Sequence, residues 1–85
     1  MHYVYVLKSQ KYKSLKLYYG LTSDLKKRLK EHNDKKNAST KYGIPWKLIY
    51  YEAFSNKTDA RREELFLKSG KGKERIKYLL TQTLR

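Results

Sequence analysis

A chain of 85 residues has room for one small domain, taken as 1–85, with a modest core. It has no cysteine, which excludes disulfides and Cys-based zinc sites. Lys8 interrupts the short apolar start and no run nears the roughly 20 apolar residues of a membrane span, so neither a secretory leader nor a membrane helix is expected, and a soluble, cytoplasmic protein is. Twenty-one Lys and Arg against eight Asp and Glu leave a formal charge of +13, a field that favours polyanions, nucleic acid before a membrane surface.

Tyr3–Leu7 is aromatic and β-branched, the composition of a strand. Alternation places Tyr3, Tyr5 and Leu7 on one face and Val4 and Val6 on the other, so this strand is expected to be central and covered on both sides. Ser9–Lys16 is a polar, lysine-rich loop, and Lys16–Gly20 returns as a second strand that ends at a glycine turn. A hairpin is the simplest connection. It brings Tyr5 near Tyr18 wherever the register puts both on one face.

Thr22, Ser23 or Asp24 can cap the helix that follows. Leu25, Leu29 and His32 recur at i, i+4 and i+7, while Lys26, Lys27, Lys30 and Glu31 fall elsewhere. Arg28 shares the apolar stripe. There it snorkels outward, pairs with a carboxylate, or presents a fixed cation to a phosphate. Asp34–Gly43 is polar and is expected to be a mobile loop, Pro45 argues against helix, and Trp46 anchors the domain edge. Lys47–Phe54 is the third strand.

Ser55 or Asn56 is expected to end that strand, and Thr58 or Asp59 to cap a second helix. Its stripe is Ala60, Glu64 and Leu67, with Glu63 at the margin and Arg61 and Arg62 pointing away. Here a carboxylate occupies the apolar face, as a guanidinium does at Arg28. Gly70 and Gly72 break the helix, and a third spans Lys73–Leu84 with Ile76, Leu79, Leu80 and Leu84 on one side.

These pieces, in this order and over essentially the whole chain, resemble the GIY-YIG nuclease superfamily. Tyr3-Val4-Tyr5 and Tyr18-Tyr19-Gly20 stand where its two tripeptides would be, although Tyr3 and Val4 replace the first Gly and Ile and Tyr19 fills the middle of the second. LTSDLKKRLKEHN, with Arg28 eight residues after Gly20 and His32 four further on, is similar to the family's arginine helix. Ala60–Glu74 resembles the segment that carries its single metal-binding glutamate, at Glu64. The length is most similar to small bacterial members related to the incising subunit of nucleotide excision repair.

The resemblance implies an α/β (α+β) fold, a three-stranded antiparallel sheet flanked by about three helices, with the site on one sheet face. It implies a metal-dependent endonuclease hydrolysing phosphodiesters in DNA, in repair or related processing. Its catalytic residues would be Tyr5, Tyr18, Arg28 and His32, and one Mg²⁺ or Mn²⁺ would sit on Glu64. Either tyrosine could position the water, and His32 assists as a base or orients a neighbour. The basic runs Lys26–Lys36 and Lys68–Lys77 make Lys26, Lys27, Lys30, Lys71 and Lys73 the expected phosphate contacts. With only a core domain present, a protein partner that supplies targeting is expected too. The competing reading is a non-catalytic basic module, binding nucleic acid or a larger complex on the same fold.

Overall fold

The structure, a computed structural model, describes residues 1–85. Its centre is β1 (His2–Ser9), flanked by β2 (Leu17–Thr22) and β3 (Trp46–Phe54) in an antiparallel sheet of order β2-β1-β3. Strand alternation sorts β1 into two buried sets, as expected. Val4 and Val6 pack with Tyr19 against Ala60, Leu67, Ile76 and Leu80, while Tyr5 and Leu7 pack with Trp46, Leu25 and Leu29. Each fully buried aliphatic side chain contributes about 1.5–3 kcal/mol, so both layers matter to a domain this small. Two edges remain free, the outer sides of β2 and β3.

The Tyr5–Leu7 face, taken as the first, is covered by α1 (Leu25–Asn33), capped by Asp24, whose side chain accepts from Lys27 N–H at 3.0 Å. The second is covered by α2 (Lys57–Leu67) and α3 (Gly70–Leu79). Several boundaries differ from expectation. Asn56, not Thr58 or Asp59, caps α2 by accepting from both of their N–H groups. The break between α2 and α3 falls at Lys68 and Ser69, and Ser69 caps α3, so Gly70 and Gly72 open that helix and do not interrupt it. A β-carbon at Gly72 would meet the Phe66 carbonyl oxygen at 1.9 Å, which is why the tight α2–α3 corner holds a glycine. Beyond Leu79 the chain continues as turns.

Asp34–Gly43 is not a loose loop. Ala38–Gly43 forms a short 3-10 helix capped by Asn37, with Thr40 and Gly43 buried. Trp46 lies inside the first-face core at 3% exposure and its indole N–H donates to the Thr40 carbonyl at 2.8 Å. Asn33 accepts from Trp46 N–H at 2.6 Å and donates to its carbonyl at 3.0 Å. The segment is ordered by this tryptophan. No helix is long and apolar enough to cross a membrane.

Candidate active site

The floor of the site is the β1–β2 ladder. Tyr5 pairs with Gly20 and Leu7 with Tyr18, so both tyrosines rise from the same face with ring centroids 6.4 Å apart. Gly20 lies inside β2 and has no positive φ, so its role is spatial and not that of a turn. A β-carbon there would stand 2.4 Å from both Cζ and the hydroxyl of Tyr5. The missing side chain lets the Tyr5 ring lie across the neighbouring strand.

α1 brings Arg28 and His32 over this floor. His32 is fully buried, its Nε2 2.9 Å from the Tyr5 hydroxyl and its Nδ1 2.9 Å from the Thr40 hydroxyl. Thr40 also reaches the Asn37 carbonyl oxygen at 3.3 Å. When its single proton goes to that carbonyl, His32 must donate from Nδ1 and accept from Tyr5 at Nε2. Burial, then the Arg28 charge, lower the His32 pKa, which keeps the ring neutral. Thr40 and Asn33 escape a reading of the sequence, because they act only through the fold of the 3-10 segment.

Arg28 is 31% exposed, bonds Glu31 at 3.2 Å, and stands beside the Tyr5 hydroxyl. Burial acts to lower its pKa, but contact with Tyr5 and Glu31 outweighs that and holds the guanidinium charged. Burial pushes Tyr5 up to about 12, against the pull of Arg28. Tyr5 is therefore neutral and, at 2% exposure, sealed. Tyr18 is partly exposed, with its ring centroid 4.9 Å from that of His32.

Glu64 is placed differently from the single-face expectation. Its helix packs Ala60 and Leu67 on the Val4–Val6 side, whereas α1 packs Leu25 and Leu29 on the Tyr5–Leu7 side. Arg28 and Glu64 thus come from opposite faces of the sheet, because helical spacing shows which side of a helix is buried and not which side of a sheet it covers. Each has a local partner. Glu64, 5% exposed, bonds Arg61 at 2.5 Å and Lys68 at 3.2 Å, so Arg61 folds back toward it and does not point away. The Glu64 charge is among the influences that raise Tyr5, and its cleft of about 450 Å³ includes Leu21, Thr22 and Ser23, the run joining β2 to α1.

A metal fit can be judged from the donor set. No cluster of three His, Asp or Glu side chains exists to form a protein cage. One buried carboxylate suits Mg²⁺, which keeps several waters and binds through one or two carboxylates plus substrate phosphates. The two Glu64 oxygens are bonded by Arg61 and Lys68, both about half exposed. The residues present fit a single hard cation on Glu64 alone. Lys26, Lys27 and Lys30 are exposed on α1 and Lys71 and Lys73 on α3, so the basic surface wraps both sheet faces. Lys30 is paired with Asp34.

Comparison with known proteins gives one family, described as the GIY-YIG catalytic domain, matching residues 1–77. A UPF0213 protein of Bacillus licheniformis is 46% identical over 77 residues, spanning 87% of this chain and 76% of the relative. UPF0213 proteins of Streptococcus pyogenes and Clostridium perfringens are similar too: 41% over 93% of this chain and 85% of the relative, and 35% over 100% and 89%. No solved structure matches.

Proposed function

This chain belongs to the GIY-YIG catalytic-domain family, a nuclease-type domain, and we propose that it is a divalent-metal-dependent endonuclease acting on DNA in repair or related processing. The observation that carries the reading is the gathering of Tyr5, Tyr18, Arg28 and His32 on one sheet face over a strand cut away at Gly20.

In this reading Arg28 grips a non-bridging phosphate oxygen and stabilises the charge that builds there during attack. Tyr18, partly exposed and near the Arg28 charge, orients the attacking water; sealed Tyr5 holds Arg28 and His32 in place. Glu64 holds the cation. When bound, a divalent ion supplies charge neutralisation at the phosphate and leaving oxygen. Lys26, Lys27, Lys30, Lys71 and Lys73 supply sequence-independent attraction, and a protein partner supplies targeting. With roughly five phosphates neutralised, log affinity for duplex DNA falls with log salt at a slope near −4 to −5.

The test is nicking of supercoiled DNA with Mg²⁺ or Mn²⁺, with and without chelator. Wild type should nick only with metal, and Glu64→Ala should not nick yet should still bind, since removing an acid does not weaken phosphate attraction. Equal nicking by both proteins contradicts the proposal. Wild type that binds DNA but cuts no supercoiled, branched or single-stranded form supports the binding module, a reading favoured by the ion pairs that occupy both Glu64 oxygens.

A further inference from the structure

The free edge of β2 carries a groove of about 390 Å³ that shares Tyr18 and Lys73 with the proposed site and whose other residues have no role in it. One wall is apolar and aromatic: Leu15, Leu17, Tyr18 and Tyr19. The other is a row of cations, Lys68 after α2 with Lys73 and Lys77 on α3. Lys73 and Lys77 stand at i, i+4 and so share a helix face. Tyr18 and Tyr19 belong to opposite faces of the sheet, yet both line the groove, which therefore wraps the strand edge.

No acidic side chain lines it, so its charge complements a polyanion. A row of cations facing aromatic and apolar surface matches a single strand, whose phosphates meet lysines while its unstacked bases lie on the rings. A duplex keeps its base faces in the stack and has no use for the apolar wall. Apart from tyrosine hydroxyls, the lining offers no side-chain acceptor to a 2′-hydroxyl, so nothing in it calls for RNA.

The groove also joins the two halves of the candidate site. Tyr18 is shared with the Tyr5–His32 cluster, and Lys68 bonds Glu64 at 3.2 Å. We propose that the β2-edge groove is a binding track for single-stranded DNA, leading one strand past Tyr18 toward Arg28. Where the strand leads rests on the nuclease reading; the binding itself does not.

Binding is measured by fluorescence anisotropy in chelator, with a labelled 12-nucleotide oligothymidylate, a DNA duplex and the matching oligouridylate. Lys73→Gln/Lys77→Gln is compared with Lys26→Gln/Lys27→Gln, which loses the same two charges from α1. The α3 variant should bind the DNA single strand about tenfold more weakly, its salt slope reduced by about 1.4, while the α1 variant loses much less. Leu15→Ser should weaken single-strand binding with an unchanged slope. Photo-crosslinking with 5-iododeoxyuridine should mark Tyr18 or Tyr19 and spare Tyr78, although Tyr78 is 85% exposed. Equal losses from the two double variants, crosslinks at Tyr78, or tighter binding of oligouridylate each overturn the track. If these binding results hold but no metal supports cleavage, the nuclease reading fails and the track stands.

Discussion

Gly20→Ala adds one methyl group, and its consequence can be worked from the floor of the site. The new carbon would lie 2.4 Å from the Tyr5 Cζ and hydroxyl, where carbon contacts settle near 3.5 Å, so the ring must retreat by about 1 Å. That retreat breaks the 2.9 Å bond to His32 Nε2 and moves the hydroxyl away from Arg28. Overpacking costs about 1–3 kcal/mol, and the lost hydrogen bond adds about 1. At about 0.05–0.15 kcal/mol per residue an 85-residue chain holds about 4–13 kcal/mol, so the variant should still fold when cold. A misplacement of about 1 Å at the chemistry costs about 10²-fold in rate. The assay is metal-dependent nicking at low temperature, with urea unfolding on the same samples. Gly20→Ala should be about 10²-fold slower, and adding Tyr5→Phe should slow it little further, because both act through one hydroxyl. Full activity with unchanged stability, or strictly multiplicative losses, would show that Gly20 does not act through the Tyr5 hydroxyl.

Thr40→Val keeps the shape but strips His32 Nδ1 of its partner, so urea unfolding should show a loss of about 1–3 kcal/mol; unchanged stability means the histidine is not held this way. Tyr5→Phe should cost both stability and rate, whereas Tyr18→Phe should cost rate with stability within about 0.5 kcal/mol, since only Tyr5 bonds a buried partner. The reverse pattern would exchange their roles. On the opposite sheet face, one Glu52 carboxylate oxygen is buried without a hydrogen-bond partner. Desolvation, then the neighbouring Glu63 carboxylate, raise the Glu52 pKa to about 7, and Arg75 offsets part of this. The folded state therefore binds the Glu52 proton more tightly than the unfolded state does. Stability should fall as pH rises from the ordinary value of 4.5 to about 7 and then level off. Glu52→Gln removes that fall. Urea unfolding at pH 8 should show a gain of about 1–2 kcal/mol, less than the full shift implies because Glu52 is partly exposed, and no gain at pH 5.

The three strands, the double-sided burial of β1 and the stripe of α1 are legible in the sequence because each rests on local spacing. Leu25, Leu29 and His32 do face inward, Arg28 does sit at the edge of that stripe, and Tyr5 does meet Tyr18. Relations between distant segments are not legible. Thr40 and Asn33 look like loop and surface residues until Trp46 folds the 3-10 segment against α1. Gly20 looks like a turn because its actual reason, the Tyr5 ring, lies 15 residues earlier on another strand. Glu64 stands out in the sequence as a carboxylate in an apolar stripe, but nothing in its own helix tells which sheet face that helix covers.

We propose that Arg28 and Glu64, on opposite faces of the sheet, act on one phosphodiester around the end of β2. Single-turnover cleavage by wild type, Arg28→Ala, Glu64→Ala and the double variant, at saturating metal and protein, tests this directly. If the two residues serve one site, each single variant falls to near background and the double variant is no slower than the worse single. Independent, multiplicative losses, or cleavage by Glu64→Ala at the wild-type rate, would contradict it and leave the two charges as separate local ion pairs.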